Sequence, residues 1–154
     1  MKTIQLAIAT CAGLILAASP SSAHPNATTD AQGVERAMKA QFDKPGAPLT
    51  VAPVSVEGKY AVAGWIQDGR GGRALLRKDH GKWSIQVCGG DGLKTASSLA
   101  MTGMDHSSAS KLAHKVEAAE KKLPTDQVRK LSMFVGIVEV EGGGHTPHHS
   151  NHAK

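Results

Sequence analysis

Residues 50–88 read TVAPVSVEGKYAVAGWIQDGRGGRALLRKDHGKWSIQVC, and this stretch decides the fold. Four runs rich in β-branched and apolar residues, 50–57, 60–67, 74–78 and 83–88, are separated by Gly58-Lys59, Asp68-Gly69-Arg70-Gly71-Gly72 and Asp79-His80-Gly81-Lys82. Spacers this short cannot hold the crossover that parallel pairing needs, and their glycines supply the positive φ of tight reversals. The expected core is therefore a four-stranded antiparallel β-meander.

Working outward, the upstream segment predicts an amphipathic helix. Thr29 and Gln32 stand at capping-box spacing, Val34, Ala37, Met38 and Phe42 recur on one face, and Pro45-Gly46 stops the run. Downstream, Asp91 is placed to cap a helix over 93–101 that Gly103 would end. A second helix starts near 105–107, carries Leu112, Val116, Ala119 and Leu123 on one face, and runs to Pro124. Thr125 can cap a further short helix through Leu131, and the β-branched run 134–140 predicts a last strand. The fold class expected is α+β: an N-terminal helix, a four-stranded antiparallel meander, two to three helices and a final strand.

The amino terminus sets the compartment. Met1-Lys2, an apolar stretch over 4–18 and the small residues before Ala23 have the three-part pattern of a secretory signal over 1–23, with cleavage after Ala23. Cys11 lies too early in the apolar run to be a lipid anchor, so the mature protein reads as free. The expected organisation is a signal peptide over 1–23, one domain over 24–141 and a flexible Gly/His-rich tail over 142–154, with no span left after cleavage. Removing Lys2 takes the formal charge from +5 to +4, and the basic residues are interleaved with acids, which argues against nucleic-acid binding. With Cys11 removed, Cys88 is the one thiol, so no disulfide can staple the mature chain.

Chemistry concentrates in the tail. His145, His148, His149 and His152 fill four of eight consecutive positions. Neutral imidazole binds copper, nickel and zinc, with copper leading on intrinsic affinity. Ordering such a tail costs entropy, so a loose, exchangeable site is expected. A solvated, pH-titrating tail or a cloning tag are the plainer readings, although Thr146-Pro147 and Ser150-Asn151 interrupt the run as a tag would not. His24 would open the mature chain and could chelate through its α-amine and ring, while Pro25 denies it the next amide nitrogen. Met101, Met104 and His106 form Met-x-x-Met-x-His, a donor set suited to Cu(I), against a reading in which both methionines simply pack. Strict alternation groups Cys88 with Ser84 and Gln86, opposite Trp83, Ile85 and Val87. A buried or metal-capturing thiol fits better than a nucleophile, since nothing marks His80, His106 or His114 as its base; the chain reads as a non-enzyme. The glycine clusters at 69–72 and 89–92 lack the lysine and hydroxyl of a phosphate loop and read as turns.

The segments Ala63-Gly64-Trp65-Ile66-Gln67, Gly71-Gly72-Arg73-Ala74-Leu75-Leu76-Arg77-Lys78 and Gly81-Lys82-Trp83 through Cys88-Gly89-Gly90-Asp91-Gly92-Leu93-Lys94 resemble the bacterial copper uptake system-associated proteins. That resemblance implies a periplasmic copper-handling protein working beside other copper chaperones or an outer-membrane copper receptor, and its strongest positions, Trp65, Arg73 and Trp83, look structural. The expectation is a periplasmic accessory protein that captures copper on its tail and passes it on. The alternative is a partner-binding module of the same system whose working surface is the meander.

Overall fold

The computed structural model describes residues 25–140. The expected signal peptide, His24, the glycine hinge and the four tail histidines lie outside the described residues.

Three tight hairpins link four long strands, β1 (Thr50–Glu57), β2 (Tyr60–Gln67), β3 (Arg70–Asp79) and β4 (Lys82–Gly89). Asp68 and Gly69 turn the second hairpin at φ 51° and 71°, and His80 and Gly81 the third at 47° and 80°. Two successive positive φ values are the backbone twist that a two-residue hairpin requires. β3 therefore starts at Arg70, several residues earlier than expected, because the turn uses only Asp68-Gly69 and the glycines after it pair with β2, Gly71 with Ile66 and Gly72 with Trp65. A fifth short strand, β5 (Ile137–Glu139), pairs antiparallel with β4, giving one five-stranded sheet in the order β1-β2-β3-β4-β5. The last strand is thus three residues of the expected seven.

Helix α1 (Pro25–Phe42) packs on one face of the sheet. The chain is already helical at Pro25, four residues before the expected Thr29 cap. Val34 and Met38 are buried against Ala61, Ala63, Ala74, Leu76 and Ile85. A side chain at Gly33 would come within 2.7 Å of the Trp83 ring, so this glycine lets helix and sheet meet closely.

The opposite face carries a 3-10 turn (Asp91–Lys94), α2 (Ala96–Met101) and α3 (His106–Glu120). Leu93, Leu99, Met104, Leu112 and Val116 pack there against Val62, Leu75 and Val87. Asp91 does not cap α2: the Thr95 hydroxyl accepts the Ser98 N–H, while Asp105 caps α3 by accepting from the Ser108 N–H at 2.9 Å. α4 (Thr125–Leu131) follows Pro124, with Thr125 as its first helical residue and not its cap. The protein is α+β, a five-stranded antiparallel sheet with α1 on one face and α2 and α3 on the other.

Two bulges interrupt the ladders. On β1, Ala52 and Pro53 together stand opposite the single residue Gly64 between the Val51 and Val54 pairs, where a side chain at Gly64 would strike the Ala52 carbonyl at 2.6 Å. On β4, Leu75 pairs with Val87 and Leu76 with Ile85, leaving Gln86 unpaired. That extra residue overturns the alternation expected from the sequence. Cys88 shares the α1 face with Trp83 and Ile85, while Val87 points into the other core.

Candidate metal centre

The β4 bulge brings the Cys88 thiol under α1 and against the C-terminal strand. It sits at the wall of a cavity of about 260 Å³ that is also lined by Met38 and Phe42 of α1, Leu49, Trp65 and Gln67 of β2, Phe134, Val138 and Val140. Apart from the Gln67 amide, the thiol and the indole N–H, these side chains are hydrocarbon and thioether. Burial in such surroundings disfavours the thiolate and pushes the Cys88 pKa up to about 11. A thiol held neutral in this way is a poor nucleophile at neutral pH.

The rim is tied down locally. The Gln67 side-chain amide donates to the carbonyls of Phe42 and Ala47, at 2.8 and 2.6 Å, which fastens the turn after α1 to the end of β2. Trp65 meets Phe134 edge to face with ring centroids 6.0 Å apart, a contact possible because Gly72 beneath them has no side chain. The Trp65 indole N–H is buried and has no acceptor among the described residues. Orphaned buried donors are uncommon in folded proteins. The Val140 N–H donates to the Gln86 carbonyl at 3.0 Å, which ties the last described residue to the cavity wall.

The other sequence candidates are dispersed. Met104 is 3% exposed in the core beneath α2 and α3, where it takes the packing role, whereas Met101, three residues earlier, is 88% exposed. His106 is exposed at the start of α3, and His80 and His114 are exposed as well. The structure therefore gives the members of Met-x-x-Met-x-His separate environments. His24, His145, His148, His149 and His152 lie outside the described residues. Among the described residues, no group of three or more His, Cys, Asp or Glu side chains is placed to hold a metal ion. No described helix is long and apolar enough to cross a membrane.

Met38 is the site residue that sequence reasoning missed. Its helical spacing marked it as an apolar face residue, and nothing in the sequence links it to Cys88, fifty positions away.

A second buried constellation explains the arginine of the Gly-Gly-Arg-Ala motif. Arg73, fully buried on β3, donates through Nε and Nη2 to the two carboxylate oxygens of Glu120 at 2.6 and 2.8 Å. Its Nη1 donates to the Leu131 carbonyl at 3.0 Å and to Asp91 Oδ1 at 3.2 Å. The Ser132 hydroxyl, which donates to the Asp91 carboxylate, holds the Asp91 pKa below its ordinary value, with the Arg73 and Lys94 charges adding to the effect. One side chain thus joins α3, the end of α4 and the 3-10 turn across β3. This is a structural clamp in which each of the three guanidinium nitrogens has an acceptor.

Comparison with family models, with curated proteins and with solved structures returned no match to this chain.

Proposed function

We propose that the chain is a periplasmic copper-binding accessory protein, delivered through a cleaved signal peptide, which captures copper on its histidine tail and passes it to a partner of a copper uptake or trafficking system. The observation that carries the reading is the run of His145, His148, His149 and His152, four imidazoles in eight positions with no aliphatic residue among them that could serve a core. Val140, the last described residue before the tail, lines the cavity that also holds Cys88. Zinc and nickel compete for the same nitrogen donors, and copper is expected to prevail on intrinsic affinity.

The test is a copper(II) titration of the mature chain against one ending at Gly143. The truncated chain is expected to lose the loosely bound, exchangeable equivalents. Unchanged stoichiometry and affinity would rule the tail out. Mass spectrometry of the exported protein checks the amino terminus at His24 in the same sample.

A second reading, a partner-binding module of the copper system, draws support from the apolar side chains exposed around β5, where Val135 is 92% and Ile137 and Val138 are about half exposed. It predicts that the truncated chain still binds its partner with undiminished affinity.

A further inference from the structure

We propose that Cys88 and Met38 form an internal two-sulfur site for Cu(I) in the cavity between α1 and the sheet. The reading deepens the copper function proposed above and rests on it for the identity of the physiological ion. The donor chemistry, however, comes from the cavity alone.

Two sulfur side chains from separate elements, one on α1 and one on β4, line the same apolar space of about 260 Å³. Native interiors pack densely, so a volume of this size lined by both Met38 and Cys88 has room for an ion. Thiolate and thioether are soft donors, and soft donors select Cu(I) over the harder divalent ions.

Charge balance points the same way. A thiolate carries one negative charge, a thioether none and Cu(I) one positive charge, so the complex is neutral. An apolar cavity can accept a neutral complex, whereas zinc or Cu(II) on the same two donors would leave a net positive charge buried without a partner. Cu(I) is also content with two ligands.

Binding is a ligand exchange with no change of oxidation state. The Cys88 S–H bond breaks, its proton leaves to solvent, a Cys88 sulfur–Cu(I) bond forms, and a lone pair of the Met38 thioether completes the coordination. The exchange also turns Cys88 from a weak acceptor into a strong one, in a cavity lined as well by Trp65, whose buried N–H has no acceptor among the described residues. Metal-bound ligands are ordinarily supported by such outer hydrogen bonds. Val138 and Val140, among the last described residues before the tail, line the same cavity.

The test uses the full mature chain, with Cu(I) supplied anaerobically and titrated against a chromophoric Cu(I) chelator. The variants are Cys88→Ser, Met38→Leu and a tail variant with His145, His148, His149 and His152 all changed to Ala. The tail variant is expected to keep one tight equivalent. Cys88→Ser is expected to lose it, and Met38→Leu, which conserves side-chain volume and so preserves the fold, to weaken it about tenfold or more. In the wild type and the tail variant, one equivalent of Cu(I) is expected to shield Cys88 from iodoacetamide. Equal Cu(I) binding by wild type and Cys88→Ser would overturn the proposal, as would loss of all tight binding in the tail variant with Cys88 still open to alkylation. Tight binding that survives in the tail variant and disappears in Cys88→Ser, with the tail contributing nothing in copper(II) titration, would instead sink the tail reading and leave the internal site standing.

Discussion

Glu120→Ala removes the carboxylate that neutralises a guanidinium with no exposure to water. Arg73 is 0% and Glu120 5% exposed, and both fork contacts, at 2.6 and 2.8 Å, disappear together. Breaking a buried pair by removing one partner costs about 3–5 kcal/mol, because the surviving charge is stranded. Asp91 stays within 3.2 Å of Nη1 and offsets part of this, which places the expected loss toward the lower end. A loss of that size lowers the melting temperature by roughly 10 to 20 °C for a domain of this length. The assay is urea unfolding followed by far-UV circular dichroism, with calorimetry as a second probe. Asp91→Asn is the control. The Asp91 side chain is 65% exposed, so its loss is expected to cost under about 1 kcal/mol. The double change Arg73→Met with Glu120→Leu removes both charges and is expected to be milder than Glu120→Ala alone. If Glu120→Ala costs less than about 1 kcal/mol, the fork is worth no more than a surface ion pair and the clamp reasoning fails.

Two further outcomes follow from the geometry. A side chain at Gly90 would lie 2.1 Å from the Phe134 carbonyl oxygen, whereas one at Gly46 would meet nothing within 4 Å. Gly90→Ala is therefore expected to destabilise by at least about 2 kcal/mol and Gly46→Ala to stay within about 0.5 kcal/mol, and equal urea midpoints would refute the close packing of 134 on 90. With the Cys88 pKa raised from 9.0 to about 11, iodoacetamide at pH 8 should modify the metal-free protein about a hundredfold more slowly than an unperturbed thiol, from thiolate fraction alone. The rate should climb about tenfold per pH unit and level off only near pH 11. The linked stability has the matching sign, full below pH 9 and lost as pH rises through about 11. A rate at pH 8 equal to that of a small free thiol would show that Cys88 is not held in the core.

Much of the fold is legible in residues 50–88 because tight turns and β-branched runs are local signals. Strand β1 and strand β2 fall where the runs lie, and Gly58, Gly69 and Gly81 mark the three reversals. The misplacements are equally physical. Arg70-Gly71-Gly72 resembles a loop by composition, yet it is a strand because it pairs with β2, and its last two residues are glycine where Trp65, Phe134 and the Lys130 carbonyl leave no space for a side chain. Asp91 resembles a helix cap, yet it answers to Arg73 and Ser132, contacts that exist only after β3 and α4 have assembled around it.

The sequence by itself determined the α+β class, because periodicity and turn chemistry act over a few neighbours. It also determined the density of imidazoles in the tail, which is a matter of composition. Tertiary structure alone decided which face Cys88 occupies, since one unpaired residue, Gln86, reverses the alternation and only pairing with β3 reveals it. It likewise decided that Met38 meets Cys88 at a shared cavity and that Met101 and Met104 part company, because which distant side chains share a space depends on the packing of whole elements and not on their spacing along the chain.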